Sequence, residues 1–156
     1  MNVLIAIIED DISAANELEH CLTEFGMQNK HTFSISRFGD AVGFLKDYQS
    51  RYDIIFMDIK MPGMDGMSAA EQLRRVDPAT MLIFVTSMVQ YAVQGYEVSA
   101  FDFIVKPINS TAFTIKMKRA MRALKLSRGS ELTLNVNGVT HVLPTSVIQY
   151  IEVMNH

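Results

Sequence analysis

Apolar residues along this chain come in two rhythms that alternate. Short runs rich in Val, Ile, Leu, Phe and Met occupy residues 3–8, 32–36, 54–57, 81–85 and 101–105. Runs of that length predict strands, and the nearly unbroken ones predict strands buried on both faces. Between them the apolar residues fall at helical spacing. Ile12, Ala15, Leu18, Leu22 and Phe25 share one face of a helix over 12–25, with Asp11 as its N-cap. Ala41, Phe44, Leu45 and Tyr48 repeat the pattern after Asp40, a third helix over 68–76 stops before Pro78, and a fourth lies near 90–98. A fifth, over 110–126, is opened by Asn109 and carries Phe113, Met117, Met121 and Leu124 on its apolar stripe. Five β-α units in strict alternation predict a doubly wound α/β fold, a parallel sheet with helices on both faces.

The rhythm changes at Ser127-Arg128-Gly129-Ser130. Runs 131–136 and 139–143 alternate apolar and polar residues around Asn137-Gly138, and a third run occupies 147–153. Asn-Gly between alternating strands predicts a hairpin with a type I′ turn. These strands are too few to bury a core of their own. The expected organisation is one domain over 1–126, a linker at 127–130, and over 131–156 the start of a second domain that is cut off.

Chemistry gathers at the strand ends. In open α/β sheets ligands bind at the carboxyl edge, and there the chain places Glu9 and Asp10, Asp58, Thr86 and Lys106. Three carboxylates at one edge repel one another and raise each other's pKa values unless a cation neutralises them. Oxygen ligands without a His or Cys cluster point to a hard ion, Mg²⁺. Lys106 and Thr86 supply a positive charge and a hydroxyl, groups suited to phosphoryl oxygens, and the helix after Asp11 adds its N-terminal amides. A carboxylate can accept a phosphoryl group, and that transfer needs little beyond positioning and electrostatics. Singly, each piece has a plainer reading: the acidic pair as a helix cap, Thr86 as a loop residue, Lys106 as a pre-proline strand end. Four such sets at four strand ends of one sheet favour the joint reading.

Composition narrows the classes. With 156 residues and a net charge of -3, the chain has room for one buried core and carries no strongly basic block. One cysteine, Cys21, excludes an internal disulfide and suits a reducing compartment. The apolar start lacks a basic flank and runs into Glu9-Asp10-Asp11, and no apolar run approaches the roughly 20 residues of a membrane helix. A cytoplasmic protein without a membrane partner is expected. The methionines read as core filler, Cys21 as a buried inert thiol, and the four histidines show no ligand spacing. Lys116, Lys118, Arg119, Arg122, Lys125 and Arg128 read as a solvated helix face.

Four segments carry a resemblance: Ile7-Ile8-Glu9-Asp10-Asp11, residues 53–66 (DIIFMDIKMPGMDG), Phe84-Val85-Thr86-Ser87 and Phe103-Ile104-Val105-Lys106-Pro107. Over residues 1–126 the chain resembles the response-regulator receiver domains of two-component signalling. That resemblance implies a flavodoxin-like sheet of order 2-1-3-4-5, with Asp58 as phospho-acceptor. It implies Mg²⁺ held by Asp10, Asp58 and the backbone carbonyl of Lys60, with Glu9 acting through water. Thr86 and Lys106 become the phosphate-sensing pair, Phe103 the switch aromatic, and Lys106–Pro107 a cis peptide. Glu9 departs from the commoner Asp. The segment from Tyr91 to Pro107 and the tail from Val147 to Val153 (VIQYIEV) are similar to regulators with a LytTR-type DNA-binding output.

The function this implies is a switch, not an enzyme acting on an external substrate. A sensor histidine kinase phosphorylates Asp58, the face around the fourth helix, fifth strand and fifth helix is remodelled, and two copies pair. Promoter DNA is reached only through the complete output domain. Two rivals stand beside it. A Mg²⁺-dependent phosphatase or phosphotransferase would need a substrate pocket and a cap segment, and the loops here are short. A nucleotide- or flavin-binding module would need a phosphate loop, and no Gly-rich loop follows the first strand.

Overall fold

The computed structural model describes residues 1–129, 131–136 and 138–144, which divide into two compact units, Met1–Lys116 and the described residues from Met117 on. The first unit holds β1 (Asn2–Ile8), α1 (Ile12–Asn29), β2 (Thr32–Phe38), α2 (Ala41–Lys46), β3 (Ile54–Met57), α3 (Gly66–Val76), β4 (Met81–Thr86) and β5 (Asp102–Val105). All five strands are parallel and pair in the order β2-β1-β3-β4-β5, so the doubly wound sheet expected from the sequence is the one observed. The last helix, α4 (Ser110–Gly129), begins in the first unit and ends in the second.

Strand alternation divides the core. Ala6, Ile8, Ile55, Met57, Leu82 and Phe84 point to one face, where they form a cluster with Phe44 of α2 and Leu73 of α3. Ile5, Ile7, Ile54, Phe56 and Ile83 alternate with them and are equally buried. The central strands are therefore apolar on both faces, from Ile5 to Ile8 in β1 and throughout β3, while β2 at the edge alternates with exposed residues. Met57, Met61 and Met67 are buried in the core, as filler should be.

Several elements differ from the sequence pattern. The fourth helix is absent: the stretch after β4 forms two single turns of 3-10 helix, Val89–Tyr91 and Gln94–Tyr96. Its apolar residues Val89, Val93 and Tyr96 are exposed and only Gly95 and Val98 are buried, so little burial repays helix nucleation, and Gly95 and β-branched valines disfavour the helix locally. The first helix runs on to Asn29 and stops where Lys30 adopts a left-handed φ of 57°. Ile12, the first residue of α1, is 76% exposed rather than buried; burial on that face begins a turn later, at Ala15. The third begins at Gly66, capped by Asp65. Tyr48 lies beyond the end of α2, yet its ring stays against Phe44 at 5.1 Å.

In the second unit, β6 (Glu131–Val136) and β7 (Val139–Pro144) pair antiparallel, Val136 opposite Val139, with Gly138 at φ 81° between them. The hairpin is as expected. Asn137, on which the type I′ assignment also depends, and the third run at 147–153 lie outside the described residues.

Candidate functional site

Backbone bonds bring the strand ends into line. The Glu9 N–H donates to the Phe38 carbonyl, the Asp58 N–H to the Ile8 carbonyl, and the Lys106 N–H to the Thr86 carbonyl, each at 3.0 Å. Each chemical residue thus extends its strand by one step, held by the neighbouring strand. Side chains that would belong inside the sheet instead meet at its edge.

Oxygens of Glu9, Asp10 and Asp58 lie within 4.8 Å of one another. The Lys106 ammonium sits among them, donating to Glu9 Oε2 at 2.5 Å and Asp58 Oδ2 at 2.8 Å. Glu9 and Asp58 are buried, and only a fifth of the Lys106 side chain is exposed. The other Asp58 oxygen, Oδ1, accepts from the Ile59 N–H at 2.6 Å and more weakly from that of Lys60 at 3.4 Å. Glu9 Oε1 accepts from the Asp11 N–H at 3.0 Å. Asp11 also caps α1, accepting from Ser13 and Ala14. The acid pair and the cap are therefore separate functions on consecutive residues.

Burial sets the electrostatics. It pushes the Glu9 carboxyl above its ordinary range, although the Lys106 hydrogen bond pulls the other way. For Lys106, burial disfavours the charge, but the hydrogen bonds to Asp58 and Glu9 outweigh it and its pKa rises. The repulsion expected among the three acids is thus partly relieved from within the chain, by Lys106.

The site opens as a cleft of about 570 Å³ whose walls include Glu9, Asp10, Asp58, Lys60, Ser87 and Lys106. Thr86 and Phe103 are not among its walls. Thr86 is fully buried, and its hydroxyl accepts from the Met88 N–H at 3.2 Å. Phe103 is half-buried, its ring 6.3 Å from that of Phe84. The Lys106–Pro107 peptide is cis. Ser87, which the sequence pattern gives no role of its own, lines the cleft. Gly66 was also overlooked as a site residue, though it closes the 53–66 motif. Its N–H donates to the Ile59 carbonyl at 2.8 Å, bringing the start of α3 against the backbone of Asp58.

A hard divalent cation fits this donor set. Mg²⁺ takes oxygens at about 2.0–2.1 Å, so ligands on opposite sides of it stand about 4.2 Å apart, close to the observed spread. Glu9 already spends both oxygens on the chain, whereas Asp10 presents an exposed carboxylate. Among the described residues no helix is long and apolar enough to cross a membrane.

Comparison with known proteins agrees with the fold. The family profile of the response regulator receiver domain matches residues 5–118. An uncharacterized response regulatory protein of Vibrio cholerae is 35% identical over 130 residues, covering 81% of this chain and 52% of that protein. The transcriptional regulatory protein YpdB of Escherichia coli K12 is 31% identical over 111 residues, covering 70% of this chain and 44% of that protein. The chain thus spans about half the length of these relatives. Among solved structures, response regulator TrrA of Thermotoga maritima, in complex with Mg²⁺ and BeF, superposes with a TM-score of 0.65 at 24% identity, covering 76% of this chain and 98% of that one. A family match over most of the chain, with the same five-stranded order, decides the matter: this chain belongs to the response regulator receiver domain family.

Proposed function

We propose that this chain is a phosphorylation switch whose acceptor is Asp58 and whose donor is a sensor histidine kinase. The observation that carries the reading is the Lys106 ammonium bridging Glu9 and Asp58 at the mouth of a cleft where three carboxylates converge. In the transfer, an Asp58 carboxylate oxygen forms a bond to phosphorus as the phosphorus–nitrogen bond of the donor histidine breaks. The Ile59 and Lys60 amides orient the carboxylate through Oδ1, leaving Oδ2 to the Lys106 ammonium. Lys106 offsets charge on the transferred group. Asp10, Asp58 and the Lys60 carbonyl would hold Mg²⁺, with Glu9 reaching it through water, and the bound ion would supply further positive charge for the phosphoryl oxygens. The TrrA complex, a relative in fold that holds Mg²⁺ and BeF, supports this assignment.

The new dianion on Asp58 then draws Thr86 and Lys106, and Phe103 turns into the space vacated by Thr86. It is a population shift between two packings, biased by charge at one residue. The surface that changes is the β4–β5 crossover with β5, whose Val89, Val93, Tyr96 and Val105 are exposed. Two copies pair through it. Residues 131–156 are the opening of a LytTR-type DNA-binding domain, which in complete form carries the signal to promoter DNA. The length of YpdB and its transcriptional role support that output.

Incubation with acetyl phosphate and Mg²⁺ should place an acid-stable, base-labile phosphoryl group on the wild-type chain and none on Asp58→Asn. Labelling that persists in the variant refutes the assignment.

A further inference from the structure

The crossover joining β4 to β5, residues 87–101, is held very differently at its two ends. At the far end Arg74, in the last turn of α3, donates four hydrogen bonds, all to backbone carbonyls. Nε reaches Val98 at 2.7 Å, Nη1 reaches Asp77 at 3.2 Å and Thr80 at 2.8 Å, and Nη2 reaches Ser99 at 3.1 Å. Two of those carbonyls belong to the turn between α3 and β4, and two to the crossover. Only a planar, multiply donating guanidinium can bridge them at once. Ser99 sits at a left-handed φ of 52°, a conformation a non-glycine residue keeps only when its surroundings hold it. Val98 is buried, the Ala100 N–H bonds the Gly95 carbonyl at 2.9 Å, and the Phe101 N–H bonds that of Leu82 at 2.7 Å.

The near end has no such lock. In the 3-10 turn Val89–Tyr91 the one core contact is that of the half-buried Tyr91, no residue is fully buried, and Met88 at its start makes no side-chain capping bond. Val89 and Val93 face solvent. The connection to the site is the bond from the Met88 N–H to the Thr86 hydroxyl.

We propose that Arg74 is a positioning residue that makes this crossover a strap with one fixed end. It locks Val98 and Ser99 to the end of α3, so a movement of Thr86 displaces residues 87–96 and leaves the start of β5 in place. The fixed end keeps Phe103 and Lys106 in register with the sheet while the surface beside them changes. The direction of the response rests on Thr86 as the group that senses phosphate. The clamp itself rests only on the Arg74 hydrogen bonds.

Hydrogen exchange read by mass spectrometry on the full chain, with and without beryllium fluoride and MgCl₂, tests it. In the wild type, exchange in 87–96 should change about fivefold or more, and exchange in 97–101 less than about twofold. Arg74→Met without the fluoride should speed exchange in 97–101 about tenfold or more, with β1 and β3 unchanged and Asp58 labelling by acetyl phosphate within about twofold of wild type. With the fluoride, the variant's response should spread into 97–101. Arg74→Lys, which keeps the charge but loses the fork, should fall between. An equal response of 97–101 and 87–96 in the wild type overturns the proposal, as does unaltered exchange there in Arg74→Met. Should Arg74→Met not fold, the wild-type comparison alone decides. No response anywhere and no label on Asp58 sinks the phosphorylation reading instead, and exchange in the untreated variant still decides the clamp.

Discussion

Replacing Gly66 with alanine sets two effects of opposite sign against each other. Gly66 opens α3, and in a helix alanine is favoured over glycine by roughly 0.5–1 kcal/mol. Propensity alone therefore predicts a more stable protein. The structure predicts the reverse. A Cβ at position 66 would stand 2.1 Å from the Asp58 carbonyl oxygen, 2.8 Å from the Ile59 Cα and 2.9 Å from the Asp58 carbonyl carbon. All three are backbone atoms, so no rotamer change relieves the contact. The start of α3 and the residues after β3 must separate by about an ångström, which strains the Gly66 N–H bond to Ile59. Overpacking of this kind costs about 1–3 kcal/mol, and more where backbone must move. The net loss should be about 2 kcal/mol or more, lowering the urea midpoint by about 1 M. Because the displaced carbonyl belongs to Asp58 itself, acetyl phosphate labelling should slow about tenfold or more, as misplacement by an ångström does elsewhere. A midpoint equal to or above the wild type would refute the close-approach argument. Normal labelling in a destabilised variant would detach Gly66 from the site.

Two further outcomes follow from the structure. The Tyr48 hydroxyl donates to Asp77 Oδ2 at 2.7 Å, and burial, then Asp77, hold its pKa well above the ordinary 10.0. Because the folded pKa exceeds the unfolded one, its contribution is complete below about pH 10 and is lost as pH rises beyond it; urea titrations should show the wild-type advantage over Tyr48→Phe shrinking above that pH, and a constant difference would contradict it. Mg²⁺ that binds only the folded site should raise the thermal midpoint as its concentration climbs past the dissociation constant, and Asp10→Ala should lose most of that rise in a calorimetric titration; an undiminished rise would remove Asp10 from the metal site.

The strands were legible because a buried parallel strand must be apolar at every position, and the runs at 3–8 and 54–57 satisfy that without help from the rest of the chain. The caps at Asp11 and Asp40 are local too, each side chain accepting from an amide two or three residues ahead, whereas the cap at Asp65, equally local, was hidden because the apolar pattern started its helix at 68. The failed helix at 90–98 shows where local reasoning stops. Its residues are spaced for a helix, but Val93 and Tyr96 are left in solvent and only Gly95 and Val98 are buried, too little burial to give the spacing energetic force.

The site divides the same way. That Glu9, Asp10, Asp58, Thr86 and Lys106 stand at strand ends could be read from the sequence, since each follows or closes an apolar run. Which of them meet could not. Lys106 and Glu9 are 97 positions apart, and their pairing depends on the order of strands across the sheet. The same holds for Arg74, an ordinary helix residue in sequence. Its four acceptors are carbonyls at 77, 80, 98 and 99, and carbonyls look alike at every position of a chain. The sequence by itself determined the alternating elements, the caps and the chemical groups offered at the sheet edge, because those depend on side-chain type and near neighbours. Only the tertiary structure decided that Lys106 stands between Glu9 and Asp58, that Thr86 is turned to Met88, and that the crossover is pinned at one end, because these contacts depend on distances across the sheet that local spacing does not encode.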